Sequence, residues 1–231
     1  MREYFPCQRR SPSRFPALLP AILCSLLALP LFLTGCGKPP VTVYKHLLEY
    51  PSPVLPRLPQ VPEGLKVELF SVAQAFNSQA MIYRPSSNQS EAYRYNRWRV
   101  NPGQMVTDFL LRDLRQSRVF AAVFGYDRTA NPRFLLEGAV EEFQEVDFGD
   151  SWSAVLAVNI TLLDTTKEEI PQRVLFQKNY RTEEPIMDRT PQGLAAAMSR
   201  AMEKLSTTII TDVHQAAWKR VPPKEMPKER K

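Results

Sequence analysis

The chain is poor in the residues that most chemistry needs. It holds three cysteines, two histidines and eight glycines among 231 residues. Cys7 and Cys24 lie within the first 35 residues, which read as a removable leader, and this leaves Cys36 as the one cysteine of the remaining chain. No disulfide and no cysteine-based metal site can be built from it. His46 and His214 are far apart in sequence, and His214 falls late in a helical pattern that suits a surface or capping role. No Gly-x-Ser-x-Gly turn and no glycine-rich phosphate loop occurs, so neither a hydrolase elbow nor nucleotide hydrolysis is expected. Asp147 and Asp150 flank a turn, and turn formation is their ordinary use. Glu141, Glu142 and Glu145 read as a solvated strand face. With no acid, base and nucleophile brought together, the expectation is a protein that is not an enzyme and takes no cofactor.

The first 35 residues are a different kind of sequence. Arg2, Arg9, Arg10 and Arg14 face a single acid, Glu3, and residues 17–33 are almost wholly apolar. A charged start and a hydrophobic middle make a secretory signal peptide. The run is short for a membrane span and is broken by Pro20 and Pro30. It ends in Leu33-Thr34-Gly35-Cys36, which resembles a bacterial lipobox. That resemblance implies cleavage before Cys36 and acylation of its sulfur, with palmitate among the chains. No Asp follows the cysteine, and by the sorting habit of such proteins this implies the periplasmic face of the outer membrane. The alternative is the periplasmic face of the inner membrane.

Charge is concentrated at the ends. Of a formal +6, residues 1–35 carry +3 and residues 219–231 carry +4, so the body is close to neutral. Nothing in it calls for nucleic acid. The expected organisation is a signal peptide at 1–35, a lipidated tether at 36–40, one domain at 41–218 and a disordered basic tail at 219–231, where Pro222, Pro223 and Pro227 interrupt any pattern.

Between tether and tail, strands are expected over 41–48, 65–72, 80–84, 92–98, 119–124, 134–148, 152–163 and 174–180. Proline recurs at 51, 53, 56, 59 and 62, an extended loop near polyproline II. Asn101-Pro102 and Thr190-Pro191 each place a capping side chain before a proline at the first helical position. Met105, Val106, Phe109, Leu110 and Leu114 stripe the first helix; Leu194, Met198, Ala201, Met202, Leu205, Ile209 and Val213 stripe the second. Gly149-Asp150 joins two long strands as a hairpin. This order predicts an α+β single domain, an antiparallel-rich sheet with two main helices on one face.

Tyr93 to Arg99 is the best candidate for partner contact, because aromatics beside arginine are enriched at interfaces. Arg94, Arg97, Trp98 and Arg99 are its candidate binding residues; the competing reading packs the alternate aromatics into the core.

Several stretches resemble the ABC-type transport auxiliary lipoprotein family. They are Phe76-Asn77-Ser78 with Met81-Ile82-Tyr83-Arg84, the aromatic strand at Tyr93, Tyr95 and Trp98, the helix from Phe109 to Leu114, and Leu135-Leu136-Glu137-Gly138. The resemblance implies a lipid-anchored subunit that docks an envelope lipid transport system, with an MCE-domain or other periplasmic subunit as partner. Self-association is compatible with it. Two other readings remain. One is a lipid carrier with its own apolar pocket, lined by Phe109, Leu110, Met198 and Met202; the other is an envelope-assembly lipoprotein that regulates a cell-wall enzyme.

Overall fold

The longest ladder in the protein is a hairpin, and the rest of the sheet is laid along it. The computed structural model describes residues 41–149 and 151–221; the signal peptide, Cys36 and the tail from 222 on lie outside the described residues. In chain order the strands are β1 (Tyr44–His46), β2 (Val61–Val67), β3 (Ser71–Val72), β4 (Ala80–Ser86), β5 (Gln89–Trp98), β6 (Phe120–Phe124), β7 (Phe134–Phe148), β8 (Ser151–Asp164) and β9 (Val174–Pro185). The helices are α1 (Pro102–Ser117), the single turn α2 (Ile170–Arg173) and α3 (Pro191–Trp218). β7, β8 and β9 form an antiparallel meander from Phe134↔Asp164 to Ser153↔Pro185. Gly149 takes φ +63 at the hairpin tip, where a side chain would be strained.

Along the free side of β7 the chain from Val61 to Ser86 runs parallel in three pieces. β2 pairs near Phe134–Leu136, β3 near Ala139–Val140 and β4 near Glu145–Val146. β6 extends the sheet beyond β2, and β5 then β1 extend it beyond β4. The fold is thus an α+β domain with a mixed sheet. Its three antiparallel ladders are joined by short parallel pairings.

The strand expected at 65–72 is broken at Glu68–Phe70. Leu69 is exposed where alternation had put it inside, and Phe70 is buried instead. The cause is local: the Phe70 amide donates to Thr107 Oγ1 on α1 (3.0 Å), and its ring lies flat on Gly138, where a Cβ would come within 2.5 Å of ring carbon. The expected strand at 41–48 shortens to Tyr44–His46, and β2 begins at Val61, inside the expected proline loop. Asn101 Oδ1 accepts from the Gly103 amide (2.9 Å) and Thr190 Oγ1 from the Gly193 amide (3.0 Å), capping α1 and α3 as read. Leu156, Val158, Ile160 and Leu162 of β8 join the same core cluster as the apolar stripes of both helices, and Val155 and Ala157 turn the other way. α3 runs to Trp218, and Val221 still packs against the core.

One buried charge joins the two helices to the proline segment. Asp113 of α1 is 1 % exposed. Its Oδ2 accepts from Tyr50 Oη (2.8 Å) and from Ser206 Oγ of α3 (2.7 Å), and its Oδ1 accepts from Ser52 Oγ (2.7 Å). Arg112 pairs with it at 2.8 Å, donates to the Tyr50 carbonyl (3.1 Å) and lies 4.5 Å from the Tyr50 ring and 4.6 Å from Phe109. Burial, and the Asp113 charge beside it, push the Tyr50 phenol far up, so it remains a donor. A second tie holds the far end: a His214 ring nitrogen lies 2.7 Å from the Pro59 carbonyl, to which only an N–H can donate.

Removing the carboxylate would strand three buried hydroxyls and a half-buried guanidinium. Asp113→Ala should therefore cost about 3–5 kcal/mol, read as a lower urea midpoint. Tyr50→Phe removes one donor and should cost about 1 kcal/mol. If the two substitutions were equally mild, Asp113 would not be the tie that joins these elements.

Candidate functional site

β1 covers β5 only from Asn96 to Trp98. Among the described residues, Gln89 to Tyr95 therefore have a neighbour on the β4 side alone. A run of β5 is left open there.

The four arginine and tryptophan residues singled out in the sequence do not act together. Trp98 is 1 % exposed and meets Phe143 edge-on, ring centroids 5.0 Å apart. It is a core residue, which corrects its place in the contact set: a strand that continues into a capped helix must bury the face turned toward that helix. Arg97 is half-buried and donates to the carbonyls of Tyr93 and Asn96, so its guanidinium is tied to its own strand. Arg94 and Arg99 are exposed. The Arg94 guanidinium lies 5.2 Å from the Tyr95 ring, and the Arg99 amide donates to the His46 carbonyl (2.8 Å), fixing the strand's exit. β1 adds what the sequence reading left out: Tyr44 and Lys45 are exposed, and Lys45 sits in register with Arg97. The exposed edge is Tyr44, Lys45, Arg94, Tyr95 and Arg99, two aromatics among three cations. The available signal was a short β-like stretch directly after the tether.

Behind this edge lies a carboxylate that the alternation misplaced. Opposite Val158 and Ala157, β7 passes from Val140 to Glu142, so Glu141 is an extra residue. The bulge reverses the facing of everything after it. Phe143 then enters the core, and Glu145, expected in a solvated face, is 1 % exposed. Tyr93 Oη donates to it (2.9 Å), and the Tyr83 ring lies 5.1 Å from that of Tyr93. Burial pushes the Glu145 carboxyl up to about 6, against the Tyr93 hydrogen bond, which works downward. Burial, followed by the nearby Glu145 charge, raises the Tyr93 phenol. This cluster positions β5 on β4 and β7; it has no nucleophile to activate.

Among the described residues, hollows open on the surface elsewhere. One of about 420 Å³ lies between β9 and the end of α3, lined by Phe176, Lys178 and Asp212 among others. One of about 540 Å³ lies under the proline segment beside Gln116–Arg118, and one of about 410 Å³ lies near Phe76 and Arg84. Leu110, Met198 and Met202, named for a lipid pocket, are instead buried in the core cluster, and Phe109 stacks on Tyr50 at 5.1 Å. Among the described residues no group of three or more His, Cys, Asp or Glu could hold a metal ion, and no helix is long and apolar enough to cross a membrane.

The sequence profile of the ABC-type transport auxiliary lipoprotein component family matches residues 47–210, which run from β1's exit to the middle of α3. The chain belongs to that family. It is therefore an auxiliary subunit of an ABC-type transport system, with a domain of the lipoprotein type. Protein XCC0632 from Xanthomonas campestris has a similar fold: 21 % identity, 77 % of this chain and 98 % of that chain covered, TM-score 0.66. A second solved structure, of an uncharacterised protein, covers 74 % of this chain and 99 % of that one at 14 % identity, TM-score 0.59. No curated protein matches the chain. The family's match takes in the aromatic strand, both helices and the β7–β8 hairpin on which the edge is built.

The raised Glu145 carboxyl has a pH signature. From the ordinary carboxyl value of 4.5 up to about 6, the unfolded chain releases this proton while the folded chain keeps it, so stability falls as pH rises through that window. Above it the cost is constant. Glu145→Gln keeps an acceptor for Tyr93 and removes the charge. It should raise stability by about 1 kcal/mol at pH 7.5, once solvent screening is allowed for. The gain should vanish below pH 4.5, as read from denaturant midpoints across pH. A gain that persists at pH 4 would show that the charge is not its origin.

Proposed function

We propose that this protein is a lipid-anchored periplasmic subunit that docks an envelope lipid transport system of the ABC/MCE type at the outer membrane. The observation that carries the reading is the family match over residues 47–210 on a chain whose leader ends in Leu33-Thr34-Gly35-Cys36. Cys36 would bear the acyl chains. Each buried methylene contributes about 0.8 kcal/mol, so several chains hold where one does not. The protein binds and positions and does no chemistry of its own. The transporter's periplasmic subunit, with an MCE domain, meets the open edge of β5 and β1. Arg94, Arg99 and Lys45 supply charge for steering, and Tyr44 and Tyr95 supply area that orders at low entropic cost.

The anchor and the edge are tested separately. Cys36→Ala should leave an uncleaved precursor or a soluble protein, followed by mass and by membrane partition. Mature mass together with retention at the outer membrane would sink the lipoprotein reading.

For the edge, the double variant Arg94→Glu/Arg99→Glu should fold normally, because exposed charges change stability by less than about 0.5 kcal/mol. It should lose at least ten-fold in capture of a purified MCE-domain subunit encoded beside it, about 1.4 kcal/mol. Undiminished capture would remove this edge as the docking surface.

A further inference from the structure

The proline segment has the burial pattern of a polyproline II helix, and part of it is displayed. Its burial repeats every third residue. Ser52, Leu55 and Leu58 are turned inward and Val61 is buried, while Pro51, Val54, Arg57 and Gln60 are exposed. Period three is that of polyproline II, which has no internal hydrogen bonds and leaves its backbone open. The inward face is accounted for. Ser52 reaches Asp113, and Leu55 and Leu58 pack against the core. Two faces remain. One carries Val54, 98 % exposed, and Arg57, whose guanidinium meets no acid among the described residues; the other carries Pro56 and Pro59, both exposed. The hollow of about 540 Å³ opens alongside, between this segment and the end of α1.

We propose that residues 53–59, Pro-Val-Leu-Pro-Arg-Leu-Pro, are a preformed polyproline ligand for a partner protein whose groove is lined by aromatic rings and closed by a carboxylate. Flat rings stack on the proline ridge, and an extended helix that is already ordered gives up little entropy on binding. Arg57 selects the acidic groove. The ridge favours a protein groove over a lipid surface: between Pro53 and Pro59 there is one cation, too few for electrostatic attachment to anionic lipid. This site is separate from the edge at β5 and does not depend on it.

A photoreactive benzoylphenylalanine in place of Val54, in the full chain expressed in the cell envelope, probes the surface directly. We expect an adduct with a protein other than this one, mapped by mass spectrometry to a segment with aromatic and acidic residues. Pro56→Ala and Arg57→Glu should each reduce it at least ten-fold; Arg57→Glu should leave the melting temperature unchanged, and Pro56→Ala should lower it only slightly, through the freer unfolded chain. Arg94→Glu/Arg99→Glu should not reduce it, which separates this surface from the docking edge. An adduct to lipid, to a second copy, or to a segment without aromatics overturns the proposal, as does no adduct or one that survives Pro56→Ala.

Discussion

A single buried carboxylate decides how the layers of this domain meet. Asp113 lies where α1, α3 and the proline segment converge, and each sends it a hydroxyl or a cation. An ionised group taken out of water is costly unless its lone pairs are filled, and here they are. Hydrophobic contact would hold these elements together in many relative positions; four polar partners around two oxygens permit one. Ser206 fixes the register of α3 on α1, Tyr50 and Ser52 fix the strap, and Arg112 bridges back over both rings. The sheet inherits this, because α1 leads directly out of β5 and α3 covers β8 and β9.

The second constraint is the extra residue in β7. A strand of fifteen residues without it would have placed Glu145 on the far face and left Tyr93 without an acceptor. With it, the first half of β7 gives Phe134, Leu136 and Val140 to the helices, and the second half gives Phe143 to Trp98. The parallel partners β2 and β3 lie before the bulge and β4 lies after it. The edge that carries Arg94 and Arg99 thus depends on a residue four positions along β7 from Glu145 and two strands away in the sheet.

What could be read from the sequence follows from which signals are local. Caps at Asn101 and Thr190, helical stripes, and the hairpin at Gly149 are each set by a few neighbouring residues, and they appear where read. Alternation is local too, but it fails wherever the register shifts. Leu69 and Phe70 exchange faces because of a ring seated on Gly138, sixty-eight residues away from Phe70. Glu145 turns inward because of Glu141. Trp98 shows the same limit in the candidate site. Its neighbours Arg94 and Arg99 are surface residues, and only the position of Phe143 tells that the tryptophan is not. Sequence singled out a strand whose edge is exposed and could not divide it into faces. It also left Lys45 and Tyr44 out, since their relevance comes from a parallel pairing between residues fifty positions apart.

The strap raises a question of entropy that its composition answers. Ordering a residue costs about 1–2 kcal/mol in backbone freedom alone. From Pro51 to Gln60 few side chains contribute burial: Leu55 and Leu58 are only partly covered. An ordinary loop of this length would not be held by so little. Proline changes the balance through the unfolded state, because its φ is fixed before folding and the residue before it is restricted as well. Pro51, Pro53, Pro56 and Pro59 leave nearly every residue of the segment either a proline or a neighbour of one. Three polar ties, at Asp113, at His214 and from Gln60 to the Arg118 and Phe120 carbonyls, then suffice to seat the whole length. The same stiffness keeps Val54, Pro56 and Arg57 presented, so ordering and display have one cause.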